Sequence, residues 1–308
     1  MLVDRGHWWR GLRGSAIKRI WPHVLGFMAW ASFIAFAELM GWIPGRISPV
    51  PFTFIGLPLG FFLAFRGNQG HARYWEARLH WQTICNCARN IARQSDVFLR
   101  GGDEPPEGLR EVQREIICRV VAVVHATRVR LQGGNAKAAA IEVLNDLGAP
   151  VPDLVKDAVN VPYALLTSIT RDLDRILRAG WIDRIFARYI DQQVAALSDA
   201  VGACDKIRKT PMPVPIVLLT RRMVLVYGAG LPIGIVDMTR WFTPVVVGVL
   251  VYAFLGLDTI AGQLAAPFDE GPHQLPLLTT AVEVERDVRQ LLGLELPPLP
   301  SAHDGIVP

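Results

Sequence analysis

The chain is poor in cysteine and in charge. Its 308 residues include four cysteines, and charged side chains make up 19%. The one close cysteine pair, Cys85 and Cys87, does not have zinc-site spacing and has no matching Cys or His pair nearby. The sequence also has no Ser-His-Asp order, phosphate-cradling glycine loop or zincin motif. These absences argue against a disulfide-stabilised or zinc-stabilised protein and against several common enzyme classes.

Apolar residues are abundant instead. They make up 51% of the chain, and the mean hydropathy is +0.28. A bilayer core of about 30 Å needs roughly 20 helical residues, and four stretches approach that length. These stretches are 22–42, 50–65, 215–236 and 242–257. The sequence therefore predicts two membrane-spanning helical hairpins.

The basic residues near the spans indicate the orientation. Residues 1–21 carry five Lys or Arg against one Asp, whereas the loop after the first span offers only Arg46 and the last loop only Arg240. Lys and Arg near span ends stay in the cytoplasm, so both termini are predicted to be cytoplasmic. The net charge of +4 is then explained by this topology, and we do not interpret it as evidence of nucleic-acid binding. The first apolar stretch is too long and too late for a cleavable signal peptide.

Between the second and third spans the pattern is helical, without strand alternation. Residues 109–131, for example, carry an apolar stripe of helical period. The predicted fold class is an all-α membrane protein with four transmembrane helices and a large helical cytosolic region. The predicted divisions are a cytosolic N-terminal segment, transmembrane helices 1 and 2, the cytosolic region, transmembrane helices 3 and 4, and a cytosolic C-terminal segment. Their ranges are 1–21, 22–66, 67–214, 215–257 and 258–308.

The second span has two distinct rows of side chains. The small row consists of Gly56, Gly60 and Ala64. The bulky row, about 100° further round the helix, consists of Leu57, Phe61 and Phe65. The small row favours close helix packing. The bulky row either faces lipid or a neighbouring helix, or forms stacked hydrophobic rings around the axis of an oligomer, where such rings gate by dewetting.

Two other groups of residues suggest chemistry less strongly. Glu76 and His80 share one helix face and are candidates for a metal site or a proton shuttle, but their aromatic neighbours favour an ordinary membrane-interface belt instead. The four cysteines are interpreted as small core residues. We therefore predict neither a bound metal nor a cofactor.

Several motifs resemble those of the bacterial bestrophin family. They extend over nearly the whole chain. They are Pro51-Phe-Thr-Phe-Ile-Gly56, Phe62-Leu-Ala-Phe-Arg66, Asn68, Arg73-Tyr-Trp-Glu-Ala-Arg78, Trp81, Ala92-Arg-Gln94, Thr210-Pro-Met-Pro-Val-Pro215, Thr243-Pro244, Leu257-Asp258, Pro267-Phe268, Leu275-Pro-Leu277 and Glu285-Arg286.

The resemblance implies a homopentameric ion channel of the bacterial inner membrane with one axial pore. Chloride is the family default for the permeant ion, and a sodium channel of the same fold is the alternative. By motif alignment the hydrophobic neck falls on the bulky row, and a second, cytosolic constriction falls on Ile185. The expected partners are other copies of the chain, membrane lipid and small inorganic ions, with no nucleic acid. The stretch 263–270 has too few carboxylates for the calcium clasp of eukaryotic relatives.

Some points depart from the family pattern or stay open. Pro58 favours a kink in the neck helix, and Thr279 or Thr280 replaces the usual Asp as the expected cap of the C-terminal helix. The candidates for charge selection are Glu38 and Arg46 at the outer entrance, and Arg171, Asp172, Asp174 and Arg175 in the cytosolic helices, each of which is otherwise an ordinary solvated residue. A secondary transporter, a membrane-anchored enzyme and a scaffold remain rival classes.

Overall fold

A computed structural model describes residues 17–42, 48–99, 106–269, 271 and 274–300. Within these ranges the chain is helical and forms no strand. The helices are α1 (Ile17–Leu39), α2 (Val50–Phe98), α3 (Leu109–Leu131), α4 (Ala136–Asp146), α5 (Asp153–Lys156), α6 (Val161–Arg178), α7 (Arg184–Lys209), α8 (Val214–Thr239), α9 (Thr243–Leu264) and α10 (Leu277–Leu292), with a 3-10 turn at Arg240–Phe242.

The chain divides into two compact units. The apolar unit comprises residues 1–74 and 211–267, and the polar unit comprises residues 75–210 and 268–308. The helix α2 begins in the apolar unit and ends in the polar unit. It continues through Pro58 as one helix of 49 residues. The helix is therefore not interrupted at the proline, where the sequence favours a kink.

In the apolar unit, α1 packs against α8 and α9, which also pack against each other. The core of this unit includes Val24 and Val251 together with Leu59 and Leu63 of α2. Small residues allow this packing to be close. A Cβ added at Gly234 of α8 would lie 2.2 Å from the ring of Phe52 on α2. Close approach over glycine is typical of helices that associate within a membrane.

Three segments are long and apolar enough to cross a membrane, judged by length and composition within the described residues. They are 20–39, 50–98 and 214–264. The third contains both α8 and α9, separated by the 3-10 turn. At that turn Arg240 has a φ of 44°, a backbone conformation that is uncommon for a residue with a side chain. The chain bends there, and α9 packs back along α8.

The polar unit is built around α3. This helix packs against α4, α6, α7 and α10, and every residue from Ile116 to Thr127 is buried. We expected one apolar stripe, and that prediction was too narrow. Helix starts in this unit follow ordinary capping rules, because Asn135, Asn160 and Asp183 accept backbone N–H groups at the starts of α4, α6 and α7.

The predicted cap of the C-terminal helix is wrong. The helix α10 begins at Leu277 after Pro276, with no side-chain cap. The hydroxyl of Thr280 instead donates to the carbonyl of Pro276 at 3.0 Å and accepts from the indole N–H of Trp81 at 2.6 Å. Thr280 lies one turn inside the helix, where its hydroxyl reaches a carbonyl rather than the free N–H groups of the helix start.

Candidate pore-lining site

One face of α2 belongs to the core of the apolar unit. Leu59, Leu63, Arg66 and Gly70 recur at intervals of three or four residues, and all four are buried. Such spacing keeps side chains on one side of a helix. Packing of this face in the core of the unit therefore sets the direction in which the neighbouring side chains on this part of α2 point.

The bulky row lies on the opposite face. Leu57, Phe61 and Phe65 are 70%, 78% and 55% exposed, whereas Leu59 and Leu63 are 0% and 2% exposed. Each member of the row is two residues from a buried leucine, which is about 200° around the helix. The row spans roughly 12 Å along the helix axis. These three apolar side chains are thus presented away from the core of their own subunit.

The small row is divided between two environments. A Cβ added at Gly56 would lie 2.8 Å from the hydroxyl oxygen of Tyr227 on α8, whereas one added at Gly60 would meet no atom within 4 Å. Ala64 is exposed. Of this row, therefore, Gly56 serves close helix packing among the described residues, and Gly60 and Ala64 stay open to a contact from outside the subunit.

Ile185 lies near the start of α7 in the polar unit and is 62% exposed. Its backbone N–H donates to the side chain of Asp183 at 2.7 Å. This cap fixes the first turn of α7 and holds Ile185 at the surface of the unit. The assignment of Ile185 to a constriction stays a prediction.

Of the two charged residues predicted at the outer entrance, Glu38 lies within the described residues. Glu38 lines a cavity of about 400 Å³ in the apolar unit, together with Asp237, Arg240 and Trp241. Arg46 lies outside the described residues. The cavity contains charges of both signs, so it does not by itself favour anions or cations.

The charge candidates in α6 are mostly engaged in ion pairs. Asp172 pairs with buried Arg119 and lies 3.4 Å from Arg175. Arg119 also donates to Glu115 at 2.5 Å. Burial raises the pKa of Glu115 more strongly than the charge of Arg119 lowers it. Asp172 therefore belongs to a buried ion-pair cluster rather than to a solvated ring of charges.

Asp174 and Arg178 form a different kind of pair. Their closest atoms are 2.9 Å apart, and both side chains are largely exposed. Exposed pairs of this kind contribute little to stability. Arg171 is exposed as well.

The residues considered for metal binding do not converge. Glu76 and His80 are 3.9 Å apart and substantially exposed. No group of three His, Cys, Asp or Glu side chains suited to a metal occurs within the described ranges. All four cysteines are buried and free, and burial raises the pKa of Cys85 to about 11 and that of Cys204 to about 12. Such thiols are poor ligands and nucleophiles at neutral pH.

Sequence reasoning missed an ion pair directly below the bulky row. Arg66 follows Phe65 on α2, and its guanidinium donates to the carboxylate of Asp258 on α9. Arg66 is 4% exposed and Asp258 is 8% exposed. A signal was present, because Asp258 is the single charged residue between positions 243 and 264. An ionisable residue within an apolar helix almost always pairs with another charged or polar group.

A second buried network holds α10 in the polar unit. Glu285 accepts from Arg289 at 2.7 Å, and His125 Nε2 lies 3.1 Å from the other carboxylate oxygen of Glu285. Burial raises the pKa of this carboxyl, but the adjacent imidazole of His125 and the hydrogen bond and charge of Arg289 outweigh burial, so the pKa lies below its usual value.

The described chain is an all-helical protein whose apolar helices are long enough to span a bilayer, and it is a membrane protein. A family model described as "Bacterial/Fungal Bestrophin protein" matches residues 3–290. The chain belongs to the bestrophin family. The recognition made from its motifs is confirmed.

Individual relatives agree with this assignment. The chain is 31% identical over 297 residues to a voltage-dependent anion channel-forming protein of Ralstonia nicotianae, with 93% of this chain and 92% of the relative covered. It is 30% identical over 288 residues to a similarly named protein of Mesorhizobium japonicum, with 93% and 89% covered.

A solved structure of a bacterial bestrophin homologue from Klebsiella pneumoniae superposes with a TM-score of 0.80 at 21% identity. The match covers 90% of this chain and 99% of that chain. The predicted all-helical membrane fold is thereby confirmed.

Proposed function

We propose that five copies of this chain form an anion channel whose neck is lined by Leu57, Phe61 and Phe65. The observation that carries the proposal is the exposure of these three apolar side chains on the face of α2 opposite the subunit core. Arranged around an axis, the row gives three stacked apolar rings. A constriction of this kind controls passage by excluding water until it widens.

The proposed topology has four spans per subunit. The regions 22–66 and 215–257 cross the bacterial inner membrane, with α8 and α9 as separate spans. Segments 1–21, 67–214 and 258–308 lie in the cytoplasm. The support is the excess of basic residues before the first span and the rule that such residues remain inside.

Self-association accounts for surfaces that the single subunit leaves open. Gly60, at which an added Cβ would meet no atom within 4 Å, and exposed Ala64 lie beside the bulky row, and they suit contact with a helix of an adjacent subunit. Ile185 is proposed to form a second, cytosolic constriction. Its apolar side chain is exposed although it lies in the polar unit.

The choice of anions rests on the relatives, whose names describe anion channel formation. Chloride is the proposed ion. The apolar rings themselves favour neither sign of charge, so selectivity requires its own measurement, and a sodium channel is the alternative that a reversal potential would reveal.

Purified protein in planar lipid bilayers tests the proposal. We expect unitary currents from the wild type and larger or more persistent currents from the triple variant L57A/F61A/F65A. Phe62→Ala is the matched control, because Phe62 is 47% exposed on a different face of α2, and its currents should resemble the wild type. Absence of unitary currents from wild type and triple variant alike, in preparations shown to be oligomeric, would refute channel function.

A further inference from the structure

We propose that the pair formed by Arg66 and Asp258 is a positioning clamp that fixes the rotation of α2 and thereby directs Phe65 toward the pore axis. This inference rests on the proposed channel function. Neither residue is proposed to touch the permeating ion, since both are buried on the core side of the apolar unit.

The clamp adjoins the neck directly. Arg66 is the next residue after Phe65 and lies about 100° around the helix from it. Arg66 continues the buried row of Leu59 and Leu63, and its guanidinium reaches a carboxylate fixed on α9. A rotation of α2 that moved Phe65 away from the axis would carry Arg66 away from Asp258.

A backbone contact reinforces the clamp one turn further along α2. A Cβ added at Gly70 would lie 2.7 Å from the backbone carbonyl oxygen of Ala261 on α9. Ala261 is three residues beyond Asp258, and Gly70 is four residues beyond Arg66, so both contacts fall on one face of each helix. Two contacts at adjacent turns hold the rotation of α2 more firmly than one contact would.

Stability alone is a weak explanation for this pair. Two charges buried among apolar helices lose their hydration, and well-packed apolar side chains of similar size often give equal or greater stability. The Nε atom of Arg66 is also buried and has no hydrogen-bond partner among the described residues. An Arg–carboxylate contact differs from an apolar contact chiefly in being directional, which suits a role in orientation.

A double-mutant cycle between the clamp and Phe65 tests the inference. The variants are Asp258→Asn, Phe65→Ala and both together, each compared with wild type by unitary conductance in bilayers and by melting of the purified oligomer. We expect Asp258→Asn to change conductance about twofold or more in the wild-type neck and to have little further effect once Phe65 is alanine, because the clamp acts on conductance through the position of Phe65 and coupled sites are not additive.

The control is Asp205→Asn, which breaks the ion pair of Arg130 and Asp205 in the polar unit. We expect it to lower the melting temperature without changing conductance. If Asp258→Asn behaves in the same way, or changes conductance equally with and without Phe65, the clamp has no positioning role.

If Asp258→Asn does not assemble, the apolar double variant R66M/D258L replaces it in the same cycle, because it leaves no unpaired buried charge. Coupling of that variant to Phe65 supports the clamp, and additive effects overturn it. The proposed function fails separately, since its failure requires that the wild type and the triple variant L57A/F61A/F65A both carry no current, whatever the cycle shows.

Discussion

Alanine substitutions at Phe61 and Leu63 should have opposite consequences, although the two residues are separated by one position on α2. Leu63 is 2% exposed and Phe61 is 78% exposed. Loss of a buried leucine costs about 2–5 kcal/mol in soluble cores. In a membrane the separated helices still face apolar lipid, so mainly the packing part remains, and we expect about 2 kcal/mol for Leu63→Ala.

Phe61→Ala should cost the subunit far less. A fully buried Phe→Ala change costs about 3–5 kcal/mol, and only about a fifth of this side chain is covered within the chain, so we expect less than about 1 kcal/mol. Removal of one apolar ring should instead ease permeation. A barrier lowered by only about 1 kcal/mol raises the rate of passage about fivefold.

Melting of the purified oligomer and bilayer recording, applied to both variants, measure the two effects. At about 2–4 °C per kcal/mol, Leu63→Ala should lower the melting temperature by about 4–8 °C and give no gain of current. Phe61→Ala should melt close to the wild type and conduct more. If Phe61→Ala loses as much stability as Leu63→Ala without added current, Phe61 is packed inside the assembly and does not line an open axis.

Three further predictions concern the polar unit. Arg119→Met removes the buried cation shared by Glu115 and Asp172, with the exposed Arg175 left near Asp172, and should cost about 3 kcal/mol in chemical denaturation. Arg178→Met, at an exposed pair, should barely move the midpoint; equal losses would show that the Arg119 pairs are not structural. The pKa of Glu285 is lowered in the fold, so its contribution to stability is complete above the ordinary pKa of 4.5 and declines as the pH falls below that value. Glu285→Gln should therefore flatten the acid side of the curve of unfolding free energy against pH. An unchanged slope would contradict the pairing. Cys85 and Cys204 should resist alkylation at pH 8 in the native protein and react after denaturation, as mass spectrometry would reveal; rapid native labelling of either would argue against their burial.

The features predicted best from the sequence are those that depend on helical periodicity, namely which side chains share one face of a helix. The two rows of the second span were visible because residues four apart share a helix face, and the angular separation of Leu57 from the core-facing Leu59 follows from the same geometry. The helix α2 also continues into a polar stretch, where no proline between Phe65 and Phe98 interrupts it.

Contacts between distant residues were not predictable in this way. Arg119 looks like a solvated residue within α3, but in the fold it meets Asp172, 53 positions away, and this pairing allows α3 to be buried on all sides. Thr280 resembles a helix cap in sequence, yet its hydroxyl contacts Trp81. Such roles depend on which helices become neighbours in the fold. A local sequence pattern does not indicate which helices those are.

The pairing of Arg66 with Asp258 also sets an order of events during synthesis. The two residues are 192 positions apart, so at about 5–20 residues per second the ribosome needs roughly 10–40 s to produce the second after the first. During that interval Arg66 has no carboxylate from α9 to meet, and α9 in turn carries Asp258 into an apolar environment. When α9 packs beside α2, both charges gain their partner in one step. The docking of α9 is therefore expected to be the event that completes the folded core of each subunit.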